Sequence, residues 1–162
     1  MIHRIRTDSG RLTQDWYQGI IAAGVSEEEY VETLAVIVTV VAIDTFARAI
    51  GQPAAALPDA IEGEPTRQRP AGAKHGGAWV PWLAPEDAVG PEADLYPVPT
   101  APHIYRAMSL VPNEVRGFFD LTESQYLEAA MMRDFGNEFR AINHAQIELV
   151  AGRVSSLNQC LY

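Results

Sequence analysis

Ten of the chain's eleven prolines fall between Gly51 and His103, interleaved with Gly63, Gly72, Gly76, Gly77 and Gly90. Each proline removes a backbone donor and fixes φ, so no regular element survives that density. The segment splits the chain into a first zone over 1–50, an irregular connector over 51–103 and a third zone over 104–162. A chain of 162 residues has material for one ordinary core and too little for two. The connector nevertheless holds Trp79, Trp82, Leu83 and Tyr96. Solvated linkers rarely spend large aromatics, so it is expected to pack over the helices or over a partner subunit.

Both flanking zones read as helical, which makes the fold class all-α, a bundle of about six helices. In the first zone, Ser26 followed three residues on by Glu29 forms a capping box, and Glu27 and Glu28 complement the helix dipole. The helix this starts is predicted from Glu27 to Ile50, with Gly51 and Pro53 as its stop. Its centre, Leu34 to Ile43, is nearly all apolar, which predicts burial on most sides. The β-branched run Val36 to Val41 would also suit a strand, but length and caps favour helix. A shorter helix, Leu12 to Ala23, precedes it and ends at Gly24.

In the third zone, Ile104 to Leu110 is a short helix stopped near Pro112. Asn113 is the candidate N-cap of a second, running to Leu121, with Phe118, Phe119 and Leu121 facing a core. The segment Leu127 to Phe139 leads to a final helix, about Asn143 to Val154, which aligns Ile147, Val150, Ala151 and Val154 on one face. No internal repeat links the zones.

Composition narrows the function classes. Twelve basic against 21 acidic residues give a net charge of −9, which argues against a nucleic-acid partner. No apolar run reaches the length of about 20 residues that spans a bilayer, and no apolar segment follows the basic N-terminus. The expectation is a protein of the cytoplasm with no membrane partner. One cysteine cannot form an internal disulfide, which fits a reducing compartment.

That cysteine, Cys160, closes the segment QIELVAGRVSSLNQCLY, with Glu148 twelve positions upstream. Twelve residues are about 18 Å of continuous helix, so the two meet only if the chain breaks between them. Ser155, Ser156 and Asn158 allow such a break, and a carboxylate brought to a thiol can act as its general base. Taken alone, a lone cysteine is more often packing than chemistry, and Glu148 more often a solvated helix residue. His144 lies one turn before Glu148 and reads as its surface partner, the alternative being a place in a pocket beside the cysteine motif. His3, His75 and His103 have no metal-ligand spacing. Asp44 and Arg48, four apart on the long helix, read as an intrahelical ion pair at the core edge. The sharper alternative is that they line a pocket beside the cysteine motif.

The string ELVAGRVSSLNQCLY resembles the motif of the carboxymuconolactone decarboxylase and alkylhydroperoxidase D superfamily, in its peroxidase-related branch. The resemblance covers the chain from about Tyr105 to its end, with glutamate, arginine, serine, asparagine and first cysteine at the family spacing. The run GIIAAGVSEEEYVETLAVIVTVVAIDTFARAIG is also similar to the helical hairpin that follows the cysteines in such members. Here the hairpin comes first. The order reads as the tail of one family unit joined to the head of another, or as one unit permuted.

What the resemblance implies is a thiol peroxidase that acts on a small-molecule hydroperoxide and is recharged by a thiol electron donor, with no bound cofactor. Glu148 would be the proton-relay carboxylate and Cys160 the first, resolving cysteine. The second, attacking cysteine would stand directly after Tyr162, with a histidine four further on. Neither is in the sequence, so the chain as given is expected not to turn over peroxide by the two-thiol route. Three expectations fit: a truncation, a degenerate member, or a UGA selenocysteine codon read as stop. The alternative function is a non-catalytic helical assembly or partner-binding protein that keeps the scaffold, and a decarboxylase is weaker. Family members assemble through their helices, and the apolar Leu34 to Ile43 run is hard to cover within one chain, so a homo-oligomer is expected.

Overall fold

The computed structural model describes residues 1–97 and 100–160. Among them seven α-helices form and no strand does: α1 (Ile2–Thr7), α2 (Gln14–Ala22), α3 (Glu27–Ala49), α4 (His103–Arg106), α5 (Pro112–Gln125), α6 (Ala129–Arg133) and α7 (His144–Leu157). The protein is all-α.

The capping box at the start of α3 is complete. Ser26 Oγ accepts from the Glu29 N–H at 3.1 Å, and the Glu29 carboxylate accepts from the Ser26 N–H at 2.9 Å. At the other end Gly51 takes φ +73, its N–H donates to the Arg48 carbonyl at 3.1 Å, and Gln52 N–H reaches the Ala47 carbonyl at 2.8 Å. This paired closure needs a left-handed residue, which glycine supplies without strain. Ile50 is therefore the cap rather than the last helical residue.

Burial on most sides of α3 is not what forms. Tyr30, Val31, Ala35 and Ile37 are buried, with α1 and α5 packed against the helix, while Val36, Ile43 and Phe46 are exposed. Two neighbours cover one side of a helix and leave the other open. A second correction concerns length: α3 has 23 residues and a mean hydropathy of 1.8 over its most apolar stretch, long and apolar enough by composition to cross a membrane. Its first half is nevertheless packed into a protein core.

The connector behaves as two parts. From 51 to 69 every residue is exposed, and from Pro70 onward the chain enters the core. Val80, Pro81, Leu83 and Leu95 are buried there alongside Met108, Leu110, Val111 and Val115. Little regular structure is present: 3₁₀ turns at Pro85–Asp87 and Gly90–Glu92, and one antiparallel bridge between Lys74 and Trp82. The buried polar group that ties this part down is Ser109. Its hydroxyl accepts from the Leu83 N–H at 2.8 Å and donates to the Arg106 carbonyl at 2.7 Å. The Tyr96 hydroxyl donates to the Leu83 carbonyl, so both backbone groups of Leu83 are satisfied by side chains.

Elsewhere the boundaries shift. α1 forms ahead of the predicted 12–23 helix, over residues to which no element was assigned, with Ile5 buried and the helix packed on α3. α4 is shorter than the predicted 104–110 segment. Asn113 is not an N-cap: α5 begins at Pro112 with Val111 as its cap, since proline at the first helical position loses no hydrogen bond. Phe118, Phe119 and Leu121 are half-buried at the core edge. α7 has no buried residue at all.

If Leu83 and Ser109 knit the connector to the helices, truncating either destabilises the whole fold. Leu83, 1% exposed, is expected to cost about 2–5 kcal/mol as Leu83→Ala. Ser109→Ala strands a buried N–H and is expected to cost about 1–3 kcal/mol. The 77% exposed Leu57 should change stability by less than about 0.5 kcal/mol as Leu57→Ala. Urea unfolding of the three variants checks the order.

Candidate functional site

α7 carries the residues singled out from the sequence. It starts with a second capping box: Asn143 Oδ1 accepts from the Gln146 N–H at 2.9 Å, and Gln146 Oε1 accepts from the Asn143 N–H at 2.9 Å. From there the helix runs unbroken to Leu157. The break expected at Ser155 and Ser156 does not occur. Serine is tolerated within a helix once both neighbouring turns are hydrogen-bonded.

The chain leaves the helix only at Gln159, which takes φ +52. Its N–H donates to the Ser156 carbonyl at 3.2 Å, and the Cys160 N–H donates to the Ser155 carbonyl at 3.0 Å. This is the same paired closure that ends α3, with glutamine strained into the position glycine fills at 51. Cys160 is free and exposed just off the helix end, and Glu148 is exposed more than two turns upstream. The two are not brought together in the single chain. Leu161 and Tyr162, which complete the motif string, lie outside the described residues.

His144 does not pair with Glu148. Its Nδ1 lies 2.9 Å from Glu138 Oε2, its backbone N–H donates to Glu138 Oε1 at 3.0 Å, and its ring lies 5.1 Å from that of Phe135. The His144 backbone hydrogen bond first, then its side chain, hold the Glu138 carboxyl below its ordinary value. The turn before the helix thus captures the histidine that sequence spacing assigned to the next turn.

Asp44 is half-buried and Arg48 exposed, and among the described residues they form no ion pair with each other. An exposed intrahelical pair gains too little to fix an arginine against water. Neither lines the two clefts described below. Among the described residues no group of three or more His, Cys, Asp and Glu side chains is placed to hold a metal ion.

The denser polar cluster sits at the other end of the sequence. The first turns of α3 project Glu27, Glu28, Glu29 and Glu32, and the exposed stretch of the connector answers them. Arg69 Nη1 lies 3.0 Å from both Glu27 and Glu28, Arg67 Nη2 lies 2.9 Å from Glu29, and the Arg67 N–H donates to Glu32 at 2.8 Å. His75 Nε2 is 3.5 Å from Glu27. Burial pushes the Glu28 carboxyl up, but hydrogen bonds from its own backbone and from Arg69 outweigh it and hold it below its ordinary value.

Beside this cluster an open cleft of about 540 Å³ is lined by Gln14, Tyr17, Gln18, Glu27, His75 and Trp79 among others. A smaller one, of about 350 Å³, adjoins it at Tyr30, Leu34 and Trp79. Tyr17 stacks on Trp79 at 6.1 Å and meets Tyr30 edge-on at 5.0 Å. Burial first, then the Glu27 charge, pushes the Tyr17 hydroxyl up to about 12, so it stays protonated. None of this was read as a site from the sequence. The arginines lie about 40 residues from their partners, and an alternation of Glu-rich and Arg-bearing segments was the one available signal.

No family model matches the chain, and no curated protein or solved structure matches it.

The Arg69 contacts make a pH-dependent contribution with a fixed sign. Because the Glu28 carboxyl is held low, its stabilisation is present above the ordinary carboxylate range, near about 4.3, and is lost as pH falls through the lowered value. Both partners are partly solvated, so Arg69→Ala is expected to cost about 1 kcal/mol or less at pH 7. Urea midpoints of variant and parent should converge on acidification below pH 4. A constant gap across that range would contradict the assignment.

Proposed function

We propose that the chain belongs to a peroxidase-related oxidoreductase of the alkylhydroperoxidase D type and contributes one thiol and the relay carboxylate of its site. The observation that carries this is the string from Glu148 to Cys160, supported by its setting: a doubly capped helix that exposes Glu148 on its flank and Cys160 at its tip. The all-α class is compatible with the scaffold such a site uses.

The chemistry needs two sulfurs, or a sulfur and a selenium. The attacking thiolate bonds to the terminal peroxide oxygen, the O–O bond breaks, and the alkoxide leaves with a proton relayed by Glu148. The attacker is then a sulfenic acid; the Cys160 sulfur bonds to its sulfur, the S–O bond breaks, and the hydroxyl leaves with the Cys160 proton as water, which forms the disulfide. A thiol electron donor returns two electrons. With one cysteine in 162 residues, the chain supplies the resolving half of this cycle.

The second reading, a non-catalytic scaffold that binds a partner, is favoured by one observation: Glu148 and Cys160 do not meet within the single chain. An extended chain separates the readings, carrying a cysteine three residues after Cys160 and a histidine four further on. Hydroperoxide consumption with a dithiol reductant is expected in the extended chain and absent from the 162-residue one. It should fall by about 10²-fold or more in Glu148→Gln, the usual size of a general acid–base contribution, and Cys160→Ser should stop turnover at the sulfenic acid. An extended chain that forms no disulfide and consumes no peroxide would leave the scaffold reading.

A further inference from the structure

The chain exposes 11220 Å², whereas a compact monomer of 17.8 kDa exposes about 8,000 Å². Part of the excess of about 3,000 Å² is the open stretch from 51 to 69. The apolar part recurs on two helices.

On the side of α3 turned away from buried Tyr30 and Ile37, Val36, Ile43, Phe46 and Ile50 are exposed, at spacings of 7, 3 and 4. On α7, Val150, Val154 and Leu157 are exposed and Ile147 half-buried, at spacings of 3, 4 and 3. Alternating steps of three and four make a straight apolar seam on a helix, the spacing that packs helix against helix. Both seams are uncovered in one chain: Phe46 is 53% and Val154 52% exposed. α7 is touched at its far end, where the Asn158 carbonyl lies 2.9 Å from the place a Cβ on Gly10 would occupy.

We infer that α7 of one copy seats its seam on the α3 seam of a second copy, forming a two-fold homodimer. The occupant is a second copy because one two-fold operation covers both seams at once, α7 on α3 and α3 under α7, and leaves neither over. The area also fits. A permanent homodimer buries about 1,000–2,500 Å² per chain, which the exposed excess can supply. Neither seam contains a charged residue. The exchange deepens the homo-oligomer expectation to named faces, and it does not rest on the peroxidase reading, since no thiol chemistry enters it.

The test uses the full chain with Cys160→Ser as background. Light scattering at micromolar concentration is expected to give about twice 17.8 kDa. Phe46→Asp and Val154→Asp, each on an exposed position, should each give the single-chain mass with unchanged far-ultraviolet circular dichroism. A preparation with Phe46→Cys mixed with one carrying Val154→Cys should oxidise to a disulfide-linked pair of unlike chains. A monomeric parent, a dimer that survives both aspartates, a cross-link only within a chain carrying both cysteines, or transfer of the protein to phosphatidylcholine vesicles through α3 would each overturn the inference. Peroxide consumption is read separately, so either proposal can fail alone.

Discussion

A single buried hydroxyl, Ser109 Oγ, ties the second half of the proline-rich connector to the helical zone that follows it. It accepts from the Leu83 N–H and donates to the Arg106 carbonyl, with its residue fully covered. An irregular segment cannot satisfy its own backbone as a helix does, so each buried N–H and C=O must find a partner elsewhere. Leu83 finds two, Ser109 below and Tyr96 beside it, and can then bury its side chain without stranding a polar group. Val80, Pro81 and Leu95 follow it into the same layer, against residues of the α4–α5 turn. Without that bond the burial of Leu83 beside the α4–α5 turn would leave its N–H unpaired, at a cost of about 1–3 kcal/mol.

The acidic start of α3 acts on the same segment from outside. Individually its ion pairs are partly solvated and worth little. Together they bring Arg67, Arg69 and His75 to one helix end, just ahead of Trp79 and Val80. The chain is thereby aimed at the core before it enters it, and the cleft between Tyr17, Glu27 and Trp79 forms as a by-product of that aim.

The ends of α3 were legible because their signals are local: Ser26 and Glu29 are three residues apart, and Gly51 needs only its own φ. The proline-rich boundary and the final helix were legible for the same reason. What was not legible depends on distance. Arg69 meets Glu27 across 42 residues of sequence, and Ser109 meets Leu83 across 26. His144 took Glu138 rather than Glu148 because a pre-helical turn folds back, which spacing along a helix cannot express. The apolar centre of α3 announced burial correctly for one side, but composition cannot say whether the other side is covered by its own chain. For the candidate site, Glu148 falls on the predicted final helix, which runs on past Val154 to Leu157, and the break expected between it and Cys160 is not formed.

The picture that results is a core made of α1, α2, α3, α5 and the second half of the connector, from which α7 stands off with its apolar seam and the thiol beyond it exposed. That division is tested most directly by amide hydrogen exchange of the full chain at two widely separated concentrations. Amides of residues 30–37 and 110–116 are expected to exchange slowly at both, and those of 43–50 and 147–157 to gain protection together at the higher one alone. Equal exchange of residues 147–157 at the two concentrations, whether fast or slow, would contradict it.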